Sequence, residues 1–170
     1  MSDKSANEAE PVSFGEKLAG SQAFSLLFRD GMALVEETAG YLDGLGRTES
    51  KALERSASLA YATESMRLTT RLMQLASWLL LHRAVNEGEM SLSQANKEKT
   101  KVKLAVGDVG DPDMVRQLPE HLRGLIERSI KLQDRVRRLD TTIHAANETN
   151  DNPVEKQVSL LRAAFERDGA

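Results

Sequence analysis

The sequence predicts an all-α protein: an antiparallel three-helix bundle with a long central helix. Three observations carry that expectation. Aromatic residues make up 4 % of the chain and charged residues 29 %, with β-branched residues sparse, a mix that suits helices better than sheets. Apolar residues recur at steps of three and four over long stretches. Stop signals fall where those stretches end, at Gly44 and Gly46, at Gly88 and at Pro153. With 170 residues the chain has the length of one domain with room for tails.

Residues 1–20 are rich in Ser, Glu and Ala and are expected to be disordered. The first helix is expected over 21–42. Phe24, Leu27, Phe28, Leu34, Val35, Thr38, Tyr41 and Leu42 share one stripe, and Ser21 is a candidate N-cap. "DGLGR" reads as a tight connection to an antiparallel second helix over 48–86. At 1.5 Å per residue that helix spans roughly 58 Å against about 33 Å for the first. Leu53, Ala57, Ala60, Tyr61, Glu64, Leu68, Arg71, Leu75 and Leu79 form one stripe on it. Met66, Thr70, Met73, Ser77, Leu80 and Ala84 form a second, and Trp78, Leu81 and Val85 a third. A helix apolar on several sides is covered on several sides, so a partner subunit is expected. Met66, Met73, Trp78, Leu80 and Leu81 are the candidate dimer or partner surface.

Ser91 and Gln94 resemble a capping box, giving a short helix over 92–99. "VGDVGDPD" then reads as loop. A third helix opens near Pro119 and continues to about 147, with Leu122, Leu125, Ser129, Leu132, Val136, Leu139, Ile143 and Ala146 at coiled-coil spacing. Residues 148–170 read as a flexible, conditionally helical tail. There Val154, Val158, Leu161 and Phe165 form a narrow apolar stripe, a candidate contact for a protease or partner.

Composition narrows the function classes. The balance of 23 basic and 26 acidic side chains gives a net charge of -3, which disfavours a general nucleic-acid binder. The absence of cysteine removes disulfides, thiolate metal sites and a cysteine nucleophile. "MSDKSANEAEPVS" lacks the basic start and apolar run of a signal peptide. The longest apolar run, residues 78–81, is far short of the roughly 20 residues that span a bilayer. A cytoplasmic protein without membrane contact is expected.

No familiar catalytic constellation emerges. His82, His121 and His144 lack a second ligand at metal-binding spacing. "GDVGDP" has no Gly-Lys-Thr and no preceding strand, and its aspartates lack calcium-loop spacing. The lysines of "NKEKTKVK", residues 96–103, and Arg135, Arg137 and Arg138 read as solvated faces. No cofactor and no metal are expected. Glu64, Arg67 and Arg71 stand at i,i+3 and i,i+4 spacing on one face of the second helix. They read first as a structural ion network, with Glu64 held ionised between guanidinium groups. A polar notch that recognises a partner's carboxylate is the alternative, and Glu64 as a catalytic base a third.

"YLDGLGRTES" followed by "LAYATESMRLTTRLMQLASWLLLHRAVNEGEMS" resembles the regulator of CtrA degradation family, RcdA, of the alphaproteobacteria. The likeness covers about residues 21–147 and is most specific in the central helix. It implies a dimeric three-helix bundle without catalytic activity. It further implies an adaptor that delivers cell-cycle regulatory proteins to the ClpXP protease, an AAA+ machine. Its implied partners are a receiver-domain accessory protein and a cyclic-di-GMP effector, and its C-terminal tail serves adaptor function. A helical scaffold, or a polar-localisation protein that links partners without delivering them, is the alternative.

Overall fold

The structure, a computed structural model, describes residues 21–101 and 110–150, with Gln157, Val158 and Leu161 beyond them. The described residues form helices and no strands. We number the helices α1 (Gln22–Asp43), α2 (Leu45–Lys51), α3 (Arg55–Asn86), α4 (Leu92–Lys101), α5 (Pro112–Arg116) and α6 (Glu120–Asn150). The three long helices, α1, α3 and α6, pack on one another pairwise.

Helix α1 starts where Ser21 Oγ accepts from the Phe24 amide at 3.3 Å, satisfying one of the orphan donors of the first turn. Phe24, Leu27, Leu34 and Tyr41 are buried from it. From α6, Leu122, Leu125, Leu132, Val136, Ile143 and Ala146 are buried along one face. Between them lies α3, whose Ala60, Leu68, Leu75, Trp78 and Leu79 complete the core. Each fully buried large side chain contributes roughly 1.5–3 kcal/mol relative to exposure.

Two elements depart from the sequence reading. The expected continuous helix over 48–86 is divided, with α2 ending at Lys51 and α3 beginning at Arg55. Glu54 adopts extended backbone (φ -64°, ψ 162°) between them. Glu49 on α2 accepts from Tyr41 Oη at 2.6 Å, so α2 is turned back onto the end of α1 instead of continuing the axis of α3. In "VGDVGDPD", read as loop, Pro112 opens α5, and the Asp111 side chain caps it by accepting from the Asp113 amide. Residues 1–20 and 102–109 of the expected tail and loop lie outside the described residues.

The coverage of α3 comes partly from within the chain. Helix α4 folds back against it, burying Leu92 and Ala95. An outward-facing line on α3 remains uncovered, and that line defines the first part of the candidate site.

Candidate functional site

Leu59, Met66, Met73 and Leu80 are 64 %, 72 %, 66 % and 53 % exposed. They recur every seven residues, so on a straight α-helix they trace one slowly drifting seam. Three of the hydroxyls beside the seam are bonded to carbonyls of their own helix. Thr63 Oγ1 donates to the Leu59 carbonyl at 3.1 Å, Thr69 to Ser65 at 2.8 Å and Ser77 to Met73 at 2.9 Å. Each hydroxyl is satisfied within its own helix, which lowers the cost of drying the surface around it. Single exposed hydrophobics are ordinary, but here four stand in an ordered line along about 32 Å of helix.

One residue assigned to this surface from sequence lies in the core. Trp78 is 2 % exposed and packs in the core, with its indole N–H donating to Asp140 Oδ1 of α6 at 2.8 Å. Its indole lies beside Lys99 of α4 and Asp140 of α6, a placement that periodicity alone could not distinguish from an outer face. Leu81 is half-buried against the same core. Met66, Met73 and Leu80 stay on the exposed seam, and Leu59 joins them. Its seven-residue distance from Met66 was the signal that could have found it.

Glu64 and Arg71 are buried, and Arg67 is half-buried. Arg67 pairs with Glu64 at 3.3 Å. Arg71 instead reaches across to α6 and donates to Ser129 Oγ at 2.9 Å. Ser129 in turn donates to the Ile126 carbonyl at 2.7 Å. The three residues thus form two separate links rather than a carboxylate clamped between two guanidiniums. Burial pulls the Arg71 guanidinium below its ordinary range, and the charge of Glu64 opposes that shift. Gly110, which precedes α5, lies so close to Glu64 that an added Cβ would enter the carboxylate's van der Waals shell. Among the described residues, the chain itself thus fills the notch beside the buried Glu64 carboxylate.

A third cluster, at the opposite end of α3, was not assembled by sequence reasoning. Asp140 Oδ1 accepts from both Trp78 Nε1 and Lys99 Nζ. His82 Nε2 and His144 Nδ1 lie 3.9 Å and 3.7 Å from the same oxygen. Lys99, read as part of a solvated basic string, is thus bound to α6. Burial pulls the Asp140 carboxyl up, but the Lys99 and Trp78 donors outweigh it and hold it below its ordinary value. His121 sits apart, with its ring 4.5 Å from that of Tyr41 and Nε2 3.7 Å from Glu37.

Between α1 and α6, a shallow groove of about 320 Å³ is lined by Asp30, Ala33, Leu34, Arg128, Lys131, Leu132 and Arg135. Its cations are matched: Arg128 with Glu37 at 2.7 Å, Lys131 with Glu127 at 2.7 Å and Arg135 with Asp30 at 3.1 Å. Arg137 approaches Asp134 at 3.9 Å. Such a groove has no excess charge with which to attract an anion.

Among the described residues, no group of three or more His, Cys, Asp or Glu side chains is placed to hold a metal ion. No helix among them is long and apolar enough to cross a membrane. In the C-terminal segment, Val158 and Leu161 are helical and exposed. Val154 and Phe165 lie outside the described residues.

Comparison with known proteins places this geometry in context. Residues 15–165 match the family model described as protein of unknown function, DUF1465. Among solved structures, the chain is similar to the crystal structure of RcdA from Caulobacter crescentus CB15. The two share 52 % sequence identity with a TM-score of 0.63, over 75 % of this chain and 96 % of that one. Comparison with curated proteins gives no match.

Proposed function

Since this chain belongs to the RcdA-type family, we propose that it is a non-enzymatic adaptor for regulated proteolysis. In this reading a homodimer of three-helix bundles delivers cell-cycle regulatory proteins to a ClpXP-type AAA+ protease. A receiver-domain accessory protein and a cyclic-di-GMP effector act beside it in the cytoplasm, with recruitment to a cell pole. The observation that carries the reading is the sequence identity to RcdA across nearly the whole of that chain.

Physical features of the chain support the same division of labour. The seam of Leu59, Met66, Met73 and Leu80 offers a face for a second copy, with Thr63, Thr69 and Ser77 already bonded inward. Glu64, Arg67 and Arg71 serve as register-setting struts within the core. The segment that includes Val154, Val158, Leu161 and Phe165 contacts the protease machinery. An adaptor needs no reactive group, because holding cargo beside the unfoldase raises its effective concentration.

A reconstituted degradation assay tests this. With protease and accessory factor present, the chain should accelerate cargo degradation, and deletion of residues 150–170 should remove the acceleration. No acceleration at any concentration would end the adaptor reading. Deletion without effect on partner assembly or on function would favour a scaffold that links partners without delivering them. Light scattering tests the seam separately: the wild type should be dimeric, and Met66→Lys with Met73→Lys monomeric.

A further inference from the structure

Where α3, α4 and α6 meet, the core contains an anomaly. His82 is wholly buried, and neither of its ring nitrogens has a hydrogen-bond partner. Its ring lies 4.1 Å from that of Trp78 at an angle of 34°. Buried polar groups are nearly always paired, so an orphan imidazole calls for an explanation. Among the described residues, Asp140 is the carboxylate near His82, and Trp78 and Lys99 already occupy its Oδ1.

Helix α4 closes this junction. It buries Leu92 and Ala95, and Lys99 bonds it to Asp140 of α6. Its N-terminus is closed by its own reciprocal box. The Gln94 amide donates to Ser91 Oγ at 3.1 Å, and the Ser91 amide donates to Gln94 Oε1 at 3.0 Å. The helix can therefore move without undoing its own cap. The connection back to α3 turns at Gly88, whose φ of 74° is a conformation that side chains other than glycine rarely adopt.

We infer that α4 is a strap latched to Asp140 through Lys99, and that proton uptake by His82 releases it. With the strap closed, a proton on His82 places a second cation beside Lys99 in a dry junction with one carboxylate to share. Among the described residues, the charged and aromatic groups facing His82 include Lys99 from α4, Asp140 and His144 from α6, and the uncharged Phe24 ring of α1, 6.5 Å away. Lifting α4 removes the neighbouring cation and admits water to the imidazole.

The sign follows from where the proton binds better. Burial first, and Lys99 second, push His82 down to about 4 with the strap closed. A solvated imidazole titrates near 6.5. The strap is therefore most firmly closed above 6.5. Its closed-to-open ratio falls by up to about tenfold per pH unit below that and levels off as pH drops through the closed-state value. Asp140 is held below the ordinary carboxylate value, so it stays ionised through this window.

Amide hydrogen exchange on the full chain between pH 7.5 and 4.5, corrected for intrinsic rates, tests the strap. Protection of residues 92–99 should fall by up to about tenfold per pH unit below 6.5, while that of α1 and α6 holds. His82→Phe should flatten the profile, and His144→Gln should keep its slope. A flat wild-type profile, a slope that survives in His82→Phe, or parallel loss of protection in α1 and α6 would overturn the inference. If His82→Phe does not fold, the ring-proton titration of His82 decides in the wild type and in Lys99→Met. The apparent pKa should be depressed in the wild type and rise in the variant. Equal values in the two would equally overturn it.

Discussion

The indole N–H of Trp78 and the Asp140 carboxylate meet at 2.8 Å across the α3–α6 contact. This bond is the reason a large aromatic can be fully buried there, since its polar edge is satisfied by a charge-assisted acceptor. Asp140 also carries Lys99, so one side chain joins three helices.

Asp140→Ala should therefore cost about 2–4 kcal/mol, because it leaves the Trp78 donor and the part-buried Lys99 ammonium without their acceptor. Asp140→Asn keeps an oxygen for the indole and should cost clearly less. Denaturant unfolding followed by circular dichroism separates the two. Equal losses would mean that the charge of Lys99, not the indole bond, dominates.

Acid should weaken the same junction in a defined direction. The folded-state pKa of Asp140 lies below its ordinary value, so its contribution is present above that value and is lost as pH falls through it toward the folded pKa. The fall in melting temperature below about pH 4 should be shallower in Asp140→Asn than in the wild type. Parallel curves would remove Asp140 from the acid response.

The Glu64 cluster predicts unequal couplings. Arg67 is the ion-pair partner of Glu64, whereas Arg71 is spent on Ser129. A double-mutant cycle of Glu64→Gln with Arg67→Met should show coupling of about 1–2 kcal/mol, and the corresponding cycle with Arg71→Met a smaller one. Coupling near zero for Arg67 would mean that its half-exposed guanidinium is screened away. If Arg67→Leu left stability unchanged but abolished partner binding, the strut assignment would fail.

Gly110→Ala should destabilise by about 1–3 kcal/mol through overpacking against the Glu64 carboxylate. The same substitution in a Glu64→Ala background should cost much less, since the obstructing oxygens are gone. Chemical denaturation of the four proteins checks this, and an equal penalty in both backgrounds would show that α5 simply moves aside.

Much of this architecture is legible in the sequence because its cause is local. The spacing of Leu122, Leu125, Ser129, Leu132 and Val136 places them all toward the core. Ser21 caps α1 for the reason its side chain suggests. The break before Arg55 is not legible, because "KALE" is helix-compatible and the interruption comes with the tertiary bond between Tyr41 and Glu49. Trp78 was misplaced for a related reason: on a helix apolar on several faces, periodicity does not say which face meets solvent. Lys99 and Asp140 are 41 residues apart, and Gly110 and Glu64 come from different segments. Pairings of that kind leave no trace in spacing.

Trp78 is the only tryptophan in the chain, and its burial gives the protein a built-in local optical probe. Its emission reports the junction of α3, α4 and α6, whereas the Glu64 end of α3 lies 14 residues, or about 21 Å, away along the helix. A partner that shifts the emission acts on the junction or its neighbours. One that binds without a shift is working at a distance from it. Fluorescence and far-ultraviolet melts that fail to coincide would then show which end of the molecule loosens first.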